Sequence, residues 1–130
     1  MRPIDKAAVR ALQTELSYAD PSLIDATISG PFIGLVAVEE AVVGYAIALP
    51  AAPAVLSELF VESDARRHGH GRRLVRAAID AVDADRLVLT TPVGNDEAVA
   101  FYRDLGFAVD AELDGFYPDG TDALRLGRTL

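Results

Sequence analysis

A mixed α/β sheet with helices on both faces is the fold class that this sequence predicts, and three observations carry it. Short β-rich runs alternate with segments of helical period along the whole chain. The first two such runs are joined by only three residues, which gives an antiparallel hairpin and antiparallel strands early. A strand, helix, strand succession in the middle calls for a crossover within the same sheet. With 130 residues and no repeat, low-complexity tract or Gly/Ser linker, the chain reads as a single domain over residues 1–130.

Asp5 is placed to cap a helix over KAAVRALQTEL, where Ala8, Val9, Leu12 and Leu16 form one apolar stripe. Pro21 opens a second helix, PSLIDATIS, ended near Gly30. FIGLVAV and VVGYAIALP then form the hairpin around Glu39 and Glu40, and VLSELFV over 55–61 is a third strand. After an arginine- and glycine-rich loop, RRLVRAAIDAVDA over 72–84 has Leu74, Val75, Ala78, Ile79 and Val82 at helical spacing. RLVLTT, 86–91, is a near-continuous apolar run and predicts a buried central strand. Asn95 can cap a helix running to Leu105, with Gly106 ending it. Two last β-rich segments, FAVDAEL and DALRLGRTL, flank the turn-rich FYPDGT.

Composition removes several function classes. There is no cysteine, so disulfides, thiolate metal sites and a cysteine nucleophile are excluded. No stretch approaches the roughly 20 uninterrupted apolar residues of a membrane span, and MRPIDKAAVR carries charges where a signal peptide needs an apolar region. A soluble, cytoplasmic protein without a membrane partner is expected. The net charge of −8 argues against nucleic acid, which needs an extended basic face. The acids are mostly Asp and Lys occurs once, a balance that resembles proteins adapted to high salt.

Against that acidic background, five of the chain's eleven arginines (Arg66, Arg67, Arg72, Arg73 and Arg76) fall within eleven residues, around Gly69 and Gly71. Glycines between a strand and a helix let the backbone take φ > 0 and let an anion approach without meeting a Cβ. The bare N–H groups and partial positive charge of the helix start then suit a phosphate. Two familiar phosphate loops do not fit: Arg72 and Arg73 follow Gly71 where a P-loop needs Lys-Ser/Thr, and Leu74 stands where a dinucleotide fingerprint needs its third glycine. His68 and His70, the only histidines, are two ligands in a glycine turn, too few for a metal site, so no metal is expected.

Arg66, Gly69 and Gly71 spell RxxGxG five residues after Val61, and NDEAVAFYRDLGF follows at 95–107, a helix and a strand later. In this order the two motifs resemble the acetyl-coenzyme A regions of the GNAT superfamily of N-acetyltransferases, and the resemblance covers essentially the whole chain. It implies a GNAT-like fold with a mixed, mostly antiparallel sheet whose first strand is reduced to a stub at MRPI. It implies acetyl-coenzyme A as cosubstrate, its pantetheine arm along Leu59, Phe60 and Val61 and its pyrophosphate on Arg66, Arg67, His68, Gly69, His70, Gly71 and Arg72. RLVLTT is the strand expected to splay away and admit the arm. The sequence departs from the family at Arg67, where Gly is usual, at Ser63, where Pro is common, and at His70, where the family has an aliphatic residue.

Acetyl transfer needs an uncharged amine, although an alkyl amine has a pKa of about 10.4. By resemblance Glu58, in the period-2 phase of Phe60, is the candidate base, and Tyr102 the general acid for the departing thiolate. The bland alternatives are that Glu58 pairs with an arginine or faces solvent, and that Tyr102 is a packing residue beside Phe101. Asn95 matches a cofactor contact, yet would cap its helix in any protein. Tyr117 and Asp119 read as a plain surface turn, with a border of the acceptor site as the alternative. With no cysteine, direct transfer is favoured over an acyl-enzyme. A non-catalytic acyl-coenzyme A module is the alternative, and the presence of both Glu58 and Tyr102 speaks for catalysis. Dimerisation is common in the family, so a homodimer is compatible with the sequence.

Overall fold

A computed structural model describes all residues, 1–130. Four helices, α1 (Lys6–Gln13), α2 (Ser22–Ser29), α3 (His70–Ala81) and α4 (Asp96–Asp104), accompany six strands, β1 (Ile33–Val38), β2 (Val42–Leu49), β3 (Ala54–Val61), β4 (Arg86–Pro92), β5 (Ala108–Leu113) and β6 (Ala123–Thr129). The strands form one sheet in the order β1-β2-β3-β4-β6-β5. Every neighbouring pair is antiparallel except β3 and β4, the two strands that the α3 crossover joins. These parallel strands pair only at Ala54 with Leu87 and Val55 with Val88, and then part. The splaying expected of RLVLTT is therefore present, and residues 56–61 have no partner on the β4 side.

Each face of the sheet has its own apolar layer. On one face Leu74, Val75 and Ala78 of α3, Tyr102 of α4 and Leu105 just after it pack with Ala46, Ala48, Leu56, Leu87 and Leu89. On the other, Val9 and Leu12 of α1 and Ile24 of α2 cover Tyr45, Ile47 and Phe60. Full burial of side chains such as Val9, Ile24 and Val75 contributes roughly 1.5–3 kcal/mol each.

A β-bulge decides which residues of β3 meet which layer. Ile47 pairs with Glu58 but the next residue, Ala48, pairs with Leu56, leaving Ser57 as the extra residue. Leu56 therefore faces α3 whereas Glu58 and Phe60 face α1, although two residues apart would ordinarily share a face.

The elements depart from the sequence expectations in four places. No strand forms at MRPI: Pro3–Asp5 is a 3₁₀ turn, and Pro3 lacks the N–H a strand ladder would use. Asp5 does not cap α1; its side chain turns back to accept from Arg2 N at 2.8 Å and caps that turn instead. Helix α1 stops at Gln13, three residues short, because the Thr14 hydroxyl donates to Ala11 O at 2.7 Å and the next amides bond three residues back rather than four. Helix α3 runs from His70 to Ala81, not from 72 to 84, with Gly69 at its N-cap in the left-handed region at φ +82°.

Candidate active site

The gap between β3 and β4 opens beside the arginine and glycine loop. Because α3 begins at His70, the amides of His70, Gly71 and Arg72 belong to its first turn and have no partner within the helix; the first such bond is Arg73 N to Gly69 O, 3.1 Å. Arg67 adopts φ +66°, a left-handed conformation that a glycine takes without strain, so a non-glycine residue holds this turn of the loop. At Gly71 a Cβ would lie 3.2 Å from Phe101 Cζ, a tight contact, so the missing side chain also eases the packing of α3 on α4.

The loop's side chains are mostly engaged with the protein itself. The Arg66 Nε donates to Val61 O at 3.1 Å and its guanidinium lies 5.9 Å from the centre of the Phe60 ring. Arg72 pairs with Asp104 on α4, and Arg73 donates to His68 O at 2.8 Å. His68 Nδ1 and His70 Nε2 both meet one oxygen of Glu39, at 2.6 and 3.0 Å. These imidazole contacts hold the Glu39 carboxyl below the usual carboxylate range.

Glu58 is buried at 6% exposure, in a network that the sequence does not announce. Its Oε1 accepts from Gln13 Nε2 at 2.9 Å and from the Tyr45 hydroxyl at 2.8 Å, and its Oε2 accepts from Asp20 N at 2.7 Å. Burial, and then the charge of Glu58, push the Tyr45 phenol upward, so it remains a donor. Gln13 Nε2 also donates to Asp20 O at 3.2 Å, and Gln13 Oε1 is the one buried side-chain polar atom without a partner. Gln13, Asp20 and Tyr45 are thus site residues that sequence reasoning missed. A signal for Gln13 existed, since it shares the apolar stripe of Val9, Leu12 and Leu16 at helical spacing.

Tyr102 lies on the opposite face from Glu58 and does not touch it. Its ring packs edge-on against Phe101 and Phe107, with centroids 5.1 and 5.6 Å away. Burial alone pushes its phenol upward, so the hydroxyl stays protonated at neutral pH, and no bond within the chain occupies it. Asn95 Oδ1 accepts from Ala98 N at 3.3 Å, the capping role.

At the end of the sheet, the α1–α2 connection meets the β5–β6 turn. Tyr18 stacks on Tyr117 at 3.9 Å between ring centres and donates to Asp119 Oδ2 at 2.7 Å. Tyr117 and Asp119 thereby tie the β5–β6 turn to the α1–α2 connection.

Three comparisons bear on this arrangement. The family model described as "Acetyltransferase (GNAT) family" matches residues 5–107. Human N-alpha-acetyltransferase 30 is 43% identical over 74 residues, which are 55% of this chain and 20% of that protein. The chain thus spans about one fifth of that relative's length. Among solved structures, Ard1 from Thermoplasma volcanium superposes with a TM-score of 0.84 at 28% identity, covering 98% of this chain and 93% of that one. The NatC complex bound to Gag peptide and CoA shares the fold, with a TM-score of 0.80 at 23% identity over 97% of this chain and 91% of that one.

Proposed function

Because the chain belongs to the acetyltransferase (GNAT) family, we propose that it transfers the acetyl group of acetyl-coenzyme A directly to a primary amine, the α-amino group at the start of a polypeptide. The observation that carries the reading is the split between β3 and β4, with Glu58 on one face, Tyr102 on the other and the open amides of the glycine loop at its end. A thioester lying in such a split is reached by the amine from the α1 side and releases its sulfur toward the α4 side. The α-amino acceptor is supported by the relatives, which are N-alpha-acetyltransferases.

The unpaired edge of β3 at Leu59 offers main-chain groups to the amide-bearing pantetheine arm in the manner of an added strand, whereas Phe60 turns its own toward Tyr45 of β2 and lines the arm from its place between Leu59 and Val61. Val61 takes part through its N–H, since its carbonyl already accepts from Arg66. The amides of residues 70–72 receive the pyrophosphate, with the Arg67, Arg72 and Arg73 charges around it. At the centre, Glu58 takes a proton from the ammonium through water, the freed amine attacks the thioester carbon, and the tetrahedral intermediate loses its second nitrogen proton to water as the C–S bond breaks. The thiolate receives the proton of Tyr102, whose phenolate is reprotonated from solvent. No cysteine is available for an acyl-enzyme, so one tetrahedral intermediate suffices.

The test is release of free coenzyme A, followed with a thiol reagent, from acetyl-coenzyme A plus a short peptide with a free α-amine. Turnover with that peptide and none with its N-terminally blocked, lysine-bearing counterpart is expected. Turnover only with lysine side chains or small amines would overturn the acceptor, and no release with any amine would overturn the activity.

A further inference from the structure

We propose that Glu39, His68 and His70 form a binding site for a borderline divalent transition ion such as Zn²⁺, Co²⁺ or Ni²⁺, on the outer side of the glycine loop. The two histidines alone are too few, but the fold supplies a third ligand from a distant element. Glu39 lies in the turn between β1 and β2, and the three potential ligand atoms lie within 4.8 Å of one another. Two imidazoles and one carboxylate are the donor set that favours these ions over Mg²⁺ or Ca²⁺, which prefer oxygen alone.

The geometry is close to what coordination needs. Bonds of about 2.0–2.1 Å in a tetrahedral site set ligand atoms about 3.3 Å apart. Glu39 Oε1 is now 2.6 Å from His68 Nδ1 and 3.0 Å from His70 Nε2, so the ligands must open by about 0.3–0.7 Å. The Glu39 and His68 side chains, 41% and 49% exposed, can move by that much, whereas His70 at 10% is held at the start of α3. A water would complete the shell, as at other three-ligand zinc sites.

One neighbour competes with the ion. Arg73 Nη2 lies 3.2 Å from His70 Nδ1, and that nitrogen must carry the proton once Nε2 binds a metal. The contact then opens, and the 2.8 Å bond from Arg73 to His68 O keeps the guanidinium in place. Loading would tie the β1–β2 turn to the loop that opens α3.

The site does not depend on the acetyltransferase reading, so it is tested on the untagged chain without acetyl-coenzyme A. Titration with Zn²⁺ by calorimetry should give one equivalent per chain, and Co²⁺ should give the absorption bands of a nitrogen- and oxygen-ligated ion of low coordination number. Saturating Zn²⁺ should raise Tm by about 5 °C. His68→Ala and Glu39→Gln, both at exposed side chains, should each weaken binding by about tenfold or more while circular dichroism shows the fold intact. No saturable one-to-one binding would overturn the proposal and leave the trio as a hydrogen-bonded brace. Binding undiminished in both variants would overturn it equally, because the ion would then sit elsewhere.

Discussion

Changing Glu58 to glutamine separates catalysis from support at one residue. The carboxylate receives Gln13 Nε2 and the Tyr45 hydroxyl on Oε1 and Asp20 N on Oε2. In Glu58→Gln the amide oxygen keeps the first two donors, while the new NH₂ faces the Asp20 N–H, donor against donor. The loss of one hydrogen bond to a charged group costs about 1.5–3 kcal/mol. For a chain of this length each kcal/mol is worth about 4 °C, so Tm should fall by about 6–12 °C in a thermal melt followed by circular dichroism. At 25 °C the variant remains folded, and its kcat with both substrates saturating should fall by about 10²–10⁴ if Glu58 is the base. A folded variant with kcat within about twofold of the parent would refute the base and reduce Glu58 to an anchor for the α1–α2 connection.

Tyr102→Phe removes a hydroxyl with no partner in the chain, so stability should change by less than about 0.5 kcal/mol, while kcat falls about 10²-fold or more at unchanged acetyl-coenzyme A affinity; calorimetry and steady-state kinetics check the pair of effects. Arg67→Gly relieves a left-handed residue and should stabilise the chain by about 0.5–1 kcal/mol, a rise in Tm of about 2–4 °C; a fall would show that the Arg67 side chain matters more than its backbone. Asp110, on β5, is held below the ordinary carboxylate range by Arg125 and then Arg86. A depressed folded-state pKa gives stability that is present above the unfolded value of about 3.9 and lost as pH falls through the folded one. Asp110→Asn should therefore lower Tm at pH 7 and flatten its decline below about pH 4; an unchanged acid limb would dissociate Asp110 from it.

Much of the fold was legible because its signals are local. The period of Leu74, Val75 and Ala78, the cap at Asn95 and the glycine after α4 are each written within a turn or two of the element they define. The helix ends were less so, because side chains decide them: Thr14 bonding back to Ala11 and Asp5 bonding back to Arg2 are choices among local partners that periodicity does not rank. The bulge at Ser57 could not be read. Ala54, Leu56, Glu58 and Phe60 are all buried, because both faces of the sheet are covered, and burial then says nothing about which face a residue meets. The phase of Glu58 relative to Phe60 and Val61 was nevertheless correct, since all three lie beyond the bulge. Gln13, Tyr45 and Asp20 converge on Glu58 from α1, β2 and a loop, a meeting of distant segments that no spacing in the chain encodes. The same holds for Glu39 beside His68 and His70.

The two residue pairs that join β3 to β4 make the sheet, in its backbone bonding, two three-stranded pieces: β1-β2-β3 and β4-β6-β5. Each piece contains its own long ladders, so the hydrogen bonds give the halves little reason to melt together. What unites them is the side-chain layer beneath α3 and α4, where Ala46, Ala48 and Leu56 of one half pack in the same cluster as Leu87, Leu89 and Leu126 of the other. Cooperativity in this domain therefore passes through oil rather than through the ladder. Thinning that layer at Val75, on the helix that bridges the halves, would let them open as separate units, each protecting its own amides to a different degree.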